Sequence, residues 1–173
     1  MGKILSIAIL VVAAIAGGAL YYLQVYHFYR DVRLVAQGGE VEVRLTLAGG
    51  DVIELPARDF RGIDAASSPI RFRACFTTQL PQDAQAMPYA RAEPLTAPGW
   101  FDCFDAKAIG AALEEGGARA YLGEADIQYG IDRVLAIYPD GRAFAWHQIN
   151  RCGEVVFDGQ PAPADCPEPP QGY

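Results

Sequence analysis

The sequence is poor in the residues and motifs that most enzymes need. After residue 23 its only serines are Ser67 and Ser68, which stand before Pro69 in a predicted turn. It has no Gly-x-Ser-x-Gly pattern, no P-loop and no Gly-x-Gly-x-x-Gly pattern, so the common signatures of serine hydrolases and nucleotide-binding enzymes are missing. We therefore predict no cofactor and assign no catalytic residue.

Positive charge is also scarce. After residue 23 the chain has 13 basic residues, the 14 of the whole chain less Lys3, against all 21 acidic residues, which is a net charge of −8. A surface that binds nucleic acid needs a basic stripe, so the composition predicts no nucleic-acid partner. An acidic domain is also repelled by anionic lipid.

A long hydrophobic run opens the chain. Residues 4–23 contain no charged side chain, and these 20 residues have the length that an α-helix needs to cross about 30 Å of hydrocarbon. Tyrosines, His27 and Phe28 then match the aromatic belt at headgroup level. The pattern predicts a transmembrane anchor with its belt over residues 1–29 and membrane contact through residues 4–23.

This run has two other interpretations. A cleaved signal peptide would use the small residues 14–16, but the apolar run continues to Leu23. The first six residues also fit a myristoylation pattern, which a spanning helix makes redundant.

The orientation of the anchor depends on the cysteines. Basic charges flank the run equally, with Lys3 and the amino terminus before it and Arg30 and Arg33 after it, so the positive-inside rule does not decide. All four cysteines follow the run without a Cys-x-x-Cys motif, which favours disulfides in an oxidising compartment over buried cytosolic thiols. We expect a single-pass inner (plasma) membrane protein with a cytoplasmic N-terminus and a periplasmic domain.

The rest of the chain predicts an α+β fold. We expect a stalk over residues 30–39, a periplasmic domain over residues 40–158 and a proline-rich tail over residues 159–173. Alternating apolar residues predict a hairpin of residues 41–47 with 52–55, and a strand over residues 70–76 that places Cys75 on its arginine side.

The second half of the domain carries the clearest local signals. Asp105 is a predicted cap for a short helix over residues 106–115, and a long loop over residues 81–98 precedes it. Residues 133–138 and 142–149 form a predicted hairpin, apolar on both faces and therefore central, and residues 155–157 a predicted edge strand. The whole is a mainly antiparallel sheet of five or six strands with one short helix.

His147 and the nearby carboxylates are the candidate polar site. A metal would need His147 with Cys152 and Cys166, whose thiols we expect to be oxidised, so we predict no metal. As a general base, His147 would need an orienting carboxylate such as Glu154 or Asp126. The simpler interpretation is a partly buried histidine that bonds a neighbouring strand, with Asp132 capping or pairing beside Arg133.

The stretch of residues 98–105 is dense in aromatic side chains. Trp100, Phe101 and Phe104 surround Cys103. They form either a binding surface or, as we favour, a plug that closes the core around a disulfide.

Several stretches resemble an uncharacterised bacterial family of short, singly anchored envelope proteins. They are residues 98–105, Tyr121-Leu-Gly-Glu124, Tyr129-Gly-Ile-Asp-Arg133 and Trp146-His-Gln-Ile-Asn150 followed by Cys152-Gly-Glu154. The resemblance implies a location and a size but no activity. Four cysteines allow three pairings, and locality and these motif neighbourhoods favour Cys75–Cys103 and Cys152–Cys166.

Taken together, these features favour a non-enzymatic interaction or accessory module that binds another membrane or periplasmic protein. Ala13 with Gly17, and Ala14 with Gly18, are pairs of small residues that let a partner helix approach. The candidate binding residues are Trp100, Phe101 and His147. The alternatives are a periplasmic hydrolase that uses His147 and nearby carboxylates, and a small-ligand-binding domain.

Overall fold

The structure is a computed structural model that describes residues 2–81 and 83–170. Its helices are α1 (Gly2–Tyr22), α2 (Ala106–Glu114) and α3 (Arg151–Phe157). Its strands are β1 (Arg30–Val32), β2 (Arg44–Thr46), β3 (Val52–Glu54), β4 (Arg58–Asp64), β5 (Arg73–Thr77), β6 (Arg119–Gln128), β7 (Ile131–Ile137) and β8 (Arg142–Ile149). Met1 of the predicted anchor and residues 171–173 of the predicted tail lie outside the described residues.

One antiparallel sheet organises the domain. Its six strands follow the order β1-β4-β5-β8-β7-β6, and β2 and β3 form a separate two-stranded hairpin. The predicted α+β class with a mainly antiparallel sheet is confirmed. Strands β7 and β8 lie inside the sheet, as their two apolar faces indicated.

The two faces of the sheet carry separate cores. On one face, which we call the hairpin side, Phe72 and Leu135 pack with Leu45 and Leu55 from the β2–β3 hairpin and the residues after it. On the other face, which we call the helix side, Trp146 packs with Phe104 and with other buried residues that include Ile109 of α2. Because side chains alternate along a strand, neighbouring residues of β5, β7 and β8 face different cores.

The first difference from the predicted organisation is in residues 30–39. Arg30–Val32 forms β1 and pairs with β4 at the edge of the sheet, and Val32 and Leu34 are buried in the hairpin-side core. A segment expected to be a stalk therefore contributes a strand and core residues. Its single short apolar alternation, Val32 and Leu34 between charged residues, was too brief to indicate a strand.

Helix α3 replaces the predicted edge strand over residues 155–157, and that prediction is wrong. Asn150 accepts hydrogen bonds from the backbone N–H groups of Cys152 and Gly153, each at 3.0 Å, which caps and starts a helix. The apolar residues Val155 and Phe157 belong to this helix. The predicted α2 does form, with Asp105 accepting from the N–H of Ala108 at its start.

Besides β1, two further strands had no sequence prediction. Strand β4 contains Asp59 at a positive φ of 51°, and its register with β5 shifts between Arg58 and Arg61. Strand β6 contains Asp126 at φ 46° and shifts register against β7. Each irregularity interrupts the alternation of apolar and polar residues that marks a regular strand.

The N-terminal helix stands apart from both cores. Residues Gly2–His27 are helical, with a π-type turn over Leu23–His27, and the segment is long and apolar enough to cross a membrane. No residue of α1 is buried. An exposed helix that is apolar on all sides is suited to a hydrocarbon surrounding.

Candidate functional sites

The aromatic stretch divides between the core and the surface. Phe101 and Phe104 are buried on the helix side, next to the Cys75–Cys103 pair. Trp100 is 38% exposed. The plug interpretation thus describes Phe101 and Phe104, whereas Trp100 faces a different part of the chain.

Trp100 contacts the end of the N-terminal helix. Its Nε1–H donates to the carbonyl oxygen of Val25 at 2.7 Å. Its ring lies 6.5 Å from the ring of Tyr26, nearly parallel, and 5.8 Å from that of Tyr29, edge on. Trp100 therefore links the domain to the predicted aromatic belt.

Arg71 makes the second link to the helix. Its Nη2 donates to the Oε1 of Gln24 at 2.7 Å and its Nη1 to the carbonyl oxygen of Gln24 at 3.1 Å. The guanidinium also lies over the ring of Tyr29, 5.4 Å from its centre, within the range of a cation–π contact. We call the contacts of Trp100 and Arg71 with residues 24–29 the helix–domain junction.

A cleft of about 440 Å³ opens at this junction. The helix side of the cleft is formed by Gln24, Val25 and Tyr29, and the domain side includes Arg71 and Arg73. The remaining lining residues are Ser68, Ile70, Leu95, Thr96, Ala97 and Pro98. We call it the junction cleft.

Arg73 forms the inner wall of the junction cleft and is only 4% exposed. Its Nε donates to Leu95 O at 2.6 Å, its Nη1 to Ile70 O at 2.8 Å and to Phe72 O at 2.7 Å, and its Nη2 to Thr96 O at 3.4 Å. Burial lowers the pKa of Arg73 to about 10. The side chain nevertheless remains charged at neutral pH, and every acceptor it contacts is a neutral carbonyl.

Two disulfides cross-link the domain. The sulfur atoms of Cys75 and Cys103 lie at bonding distance, and so do those of Cys152 and Cys166. The first joins β5 to the aromatic stretch on the helix side, and the second joins α3 to the tail. Both pairs are those that locality along the chain favoured.

His147 is buried on the hairpin side, where it bonds a neighbouring strand. Its Nε2 accepts from the Nε–H of Arg133 at 3.1 Å, so its Nδ1 carries the proton and donates to Pro69 O at 2.8 Å. The imidazole stacks on Phe72 at 4.6 Å. Burial, followed by the charge of Arg133, lowers the pKa of His147 to about 3.

The carboxylates proposed as partners of His147 lie elsewhere. Glu154 pairs with Arg91 at 3.4 Å, and Asp126 accepts from the backbone N–H of Gly130 and from Asn150. Both nitrogens of His147 have other partners and neither meets a carboxylate. This geometry does not supply the histidine–carboxylate pair of a general base.

Asp132 belongs to a separate polar network around the start of α3. It is 7% exposed and accepts from Tyr89 Oη at 3.1 Å, from the N–H of Asp126 at 3.0 Å and from Asn150 Nδ2 at 2.8 Å. Of the two roles expected for Asp132, capping or pairing with Arg133, the ion pair does not form. Arg133 instead approaches Glu124 at 3.9 Å.

Gly130 and Gly153 bring two backbone segments beside this network into close contact. Gly130 has a φ of 75°, and a Cβ atom there would lie 2.5 Å from the Cα of Gly153. A Cβ on Gly153 would lie 2.3 Å from the carbonyl oxygen of Gly130. The Tyr129–Arg133 and Cys152–Glu154 stretches are thus explained by close backbone packing.

A wide groove of about 1120 Å³ runs between α2 and the preceding loop. Its lining is rich in small residues such as Ala86, Ala90 and Ala111, with Lys107 and Glu114 among the charged ones. No histidine or cysteine lines it. Within residues 2–81 and 83–170, no group of three or more His, Cys, Asp or Glu side chains is arranged to hold a metal ion.

The residues that sequence patterns missed are Gln24, Arg71 and Arg73. The alternation of Arg71 and Arg73 with Ile70 and Phe72 was the available signal, because it puts both arginines on the face that carries Cys75. A strand pattern shows that two residues share a face. It does not show that the end of a helix some 47 positions earlier returns to that face.

Residues 43–167 match the model of a family described as a family of unknown function, DUF6446. The match covers more than half of the chain and spans β2 to α3 with both disulfides. Comparison with the curated proteins and with the solved structures gives no match.

Proposed function

Because the chain belongs to this family of unknown function, we propose its role from its geometry. The chain is a bacterial envelope protein whose helix α1 crosses the inner membrane once. Its N-terminus is cytoplasmic and its domain periplasmic. The domain works as a non-enzymatic interaction or accessory module that binds another membrane or periplasmic protein.

The helix–domain junction is the observation that carries this proposal. A tether alone would let the domain turn freely, but Trp100 and Arg71 hold it against Val25 and Gln24. The junction therefore fixes the height and orientation of the domain relative to the helix. A fixed orientation is useful to a module that must meet a partner at a defined place in the same membrane.

The two disulfides support the periplasmic side. Pairs at bonding distance with no free cysteine among the described residues fit an oxidising compartment. A domain on that side requires the N-terminus of α1 to remain in the cytoplasm.

Co-purification of the full chain from mild detergent tests the proposal. We expect a stoichiometric partner, and we expect Gly17→Leu with Gly18→Leu to remove it if the partner contacts α1 through its small residues. A Cβ on either glycine meets nothing within 4 Å in this chain, so the substitution leaves the domain and the helix undisturbed. Leu10→Ala with Leu20→Ala is a matched control at other exposed positions of the helix.

A secreted domain without α1 is the experiment that could contradict the proposal. It has to begin at Phe28 to retain β1, because a start at Gly38 would remove Val32 and Leu34 from the core. If this soluble domain restored the phenotype of a gene deletion, membrane anchoring would be dispensable and the proposal would fail.

A further inference from the structure

The junction cleft has a charge opposite to that of the domain around it. Its described lining contains two arginines, Arg71 and Arg73, and no aspartate or glutamate. The chain after residue 23 nevertheless carries 21 acidic and 13 basic residues. A local excess of two positive charges in an acidic domain favours an anionic ligand at this place.

Arg73 is the stronger indication, because its charge is buried and Asp64 acts on it only from beyond ion-pair distance. Among the described residues it forms no ion pair, and its four hydrogen bonds all go to carbonyl oxygens. A guanidinium has five N–H donors, and its longest contact is the 3.4 Å bond of Nη2. Nη2 thus retains donor capacity, and a buried cation gains most from an anion placed beside it.

Arg71 adds a second donor at the mouth of the cleft. Its guanidinium is held by Gln24 and Tyr29 rather than by a carboxylate. A neutral partner orients the side chain and leaves its charge uncompensated. Two oriented guanidinium groups on one cleft match the oxygens of a phosphate group.

The position of the cleft along the chain indicates where the phosphate comes from. Gln24 and Val25 line the cleft directly after the apolar run of residues 4–23, whose length of about 30 Å matches the hydrocarbon layer. The cleft therefore opens at the level of the lipid headgroups. Ile70, Leu95 and Pro98 give it an apolar part that suits the glycerol and the first acyl carbons.

We propose that the junction cleft binds a phosphate group, and that a phospholipid headgroup of the leaflet next to the domain supplies it. This proposal rests on the membrane anchoring proposed above. It gives the junction a ligand: the lipid phosphate lies between the end of the helix and the domain and reinforces their fixed orientation.

Lipid titration of the delipidated full chain in a maltoside detergent tests the site, with native mass spectrometry as the measurement. The probes are dioleoylphosphatidylglycerol, dioleoylglycerol, which lacks the phosphate, and inorganic phosphate. We expect phosphatidylglycerol to bind at least tenfold more tightly than dioleoylglycerol. Arg71→Gln weakens phosphatidylglycerol binding about tenfold, and Arg142→Gln, at the distant β7–β8 turn, leaves it unchanged.

A further variant separates the charge of Arg71 from its contact with the helix. Gln24→Ala removes the side-chain acceptor of Arg71, Oε1, and keeps the guanidinium and the backbone carbonyl that it also contacts, so lipid binding is expected to persist. If Gln24→Ala lost the lipid as Arg71→Gln does, the effect would come from the loosened junction and the phosphate site would be refuted. Equal binding of both lipids, or no difference between Arg71→Gln and Arg142→Gln, would refute it as well.

Two further measurements identify the source of the phosphate and show which of the two proposals fails. Inorganic phosphate binding more tightly than phosphatidylglycerol would retain the anion site and assign it to free phosphate. Alkaline carbonate extraction of cell membranes tests the anchor separately. If the chain stays in the membrane but does not bind the lipid in the titration, only the phosphate-site proposal is refuted. If carbonate extracts the chain, the membrane-anchor proposal is refuted.

Discussion

Arg73 and Arg133 lie on opposite faces of the same sheet, Arg73 buried and Arg133 with 14% of its side chain exposed, and their surroundings differ. Arg133 on the hairpin side bonds His147, lies over Phe72 at 4.7 Å and approaches Glu124. Arg73 on the helix side contacts only carbonyl oxygens and lies 5.8 Å from the ring centre of Phe104. Arg133 has a carboxylate within 4 Å, whereas Arg73 forms no ion pair among the described residues and interacts with Asp64 only from farther away.

The neighbours of each arginine explain the difference. Glu124 bonds Arg44 at 2.8 Å, and Arg44 also bonds Glu42, so the charge of Arg133 belongs to a closed network of four charged side chains. Arg73 borders an open cleft at the end of the helix. A balanced buried charge is typical of structure, whereas an unbalanced one next to a cleft indicates a binding site.

A large effect is expected at the Cys75–Cys103 disulfide, whose Cys75 lies two residues after Arg73 in β5. Cys75→Ala with Cys103→Ala opens a loop of 28 residues and should lower the free energy of unfolding by about 3–4 kcal/mol. Because residues 95–101 line or adjoin the junction cleft, their amide hydrogen exchange should accelerate. The matched pair Cys152→Ala with Cys166→Ala should cost about 3 kcal/mol and leave exchange at residues 95–101 unchanged, and equal acceleration in both would contradict this assignment.

The next effect is the loss of stability when Arg73 or Arg133 is replaced. Arg73→Met leaves the carbonyls of Leu95, Ile70 and Phe72 without their donor, and we expect a loss of about 2–4 kcal/mol because unpaired buried acceptors are costly. Arg133→Met should cost about 1–2 kcal/mol, since it leaves Nε2 of His147 without its donor while Glu124 keeps Arg44 as its partner. Urea unfolding measures both, and the reverse order of the two costs would show that Arg73 is not the better-embedded group.

The sequence anticipated the parts of this comparison that depend on local patterns. Turn residues and two apolar faces identified the β7–β8 hairpin, and the alternation of residues 70–76 placed Arg73 and Cys75 together. Strands β4 and β6 escaped because a positive φ at Asp59 and at Asp126 breaks their alternation. The junction escaped because it joins Gln24 to Arg71 and Val25 to Trp100, and pairings so distant along the chain leave no periodic signal.

A smaller effect is the pH dependence of stability that His147 contributes on the hairpin side. The pKa of His147 is lowered to about 3 by burial and by Arg133, against about 6.5 in an unfolded chain. Between these values only the unfolded state binds the proton, so this contribution to stability is complete above about pH 6.5 and falls as pH decreases, by about 1.4 kcal/mol per unit.

His147→Gln removes that contribution while keeping a donor and an acceptor. Between pH 7 and pH 5 the wild type should lose about 2 kcal/mol more stability than the variant. Urea titrations at each pH measure the difference. Parallel pH profiles would mean that His147 titrates normally, and Arg133→Gln should raise the pKa of His147, as followed by NMR.

The smallest change in stability is expected at Trp100. Trp100→Phe keeps an aromatic ring beside Tyr26 and Tyr29 but removes the bond from Nε1 to Val25 O. The loss should be about 0.5–1 kcal/mol, because the bond is exposed. Phe101→Ala, one residue later, empties a buried position and should cost about 3–5 kcal/mol.

At the helix–domain junction the order of the two variants should reverse, with the larger effect expected from Trp100→Phe. Trp100→Phe should accelerate amide exchange in residues 24–29 and broaden the distance distribution between spin labels on α1 and on the β7–β8 turn, because the hydrogen bond from Trp100 to Val25 is lost. Phe101→Ala should lower the melting temperature and leave that distribution narrow as long as the domain is folded. If Trp100→Phe left both junction measurements unchanged, the bond from Nε1 to Val25 O would contribute nothing to the fixed orientation. The observation that carries the interaction-module proposal would then rest on Arg71 and on the ring contacts at position 100.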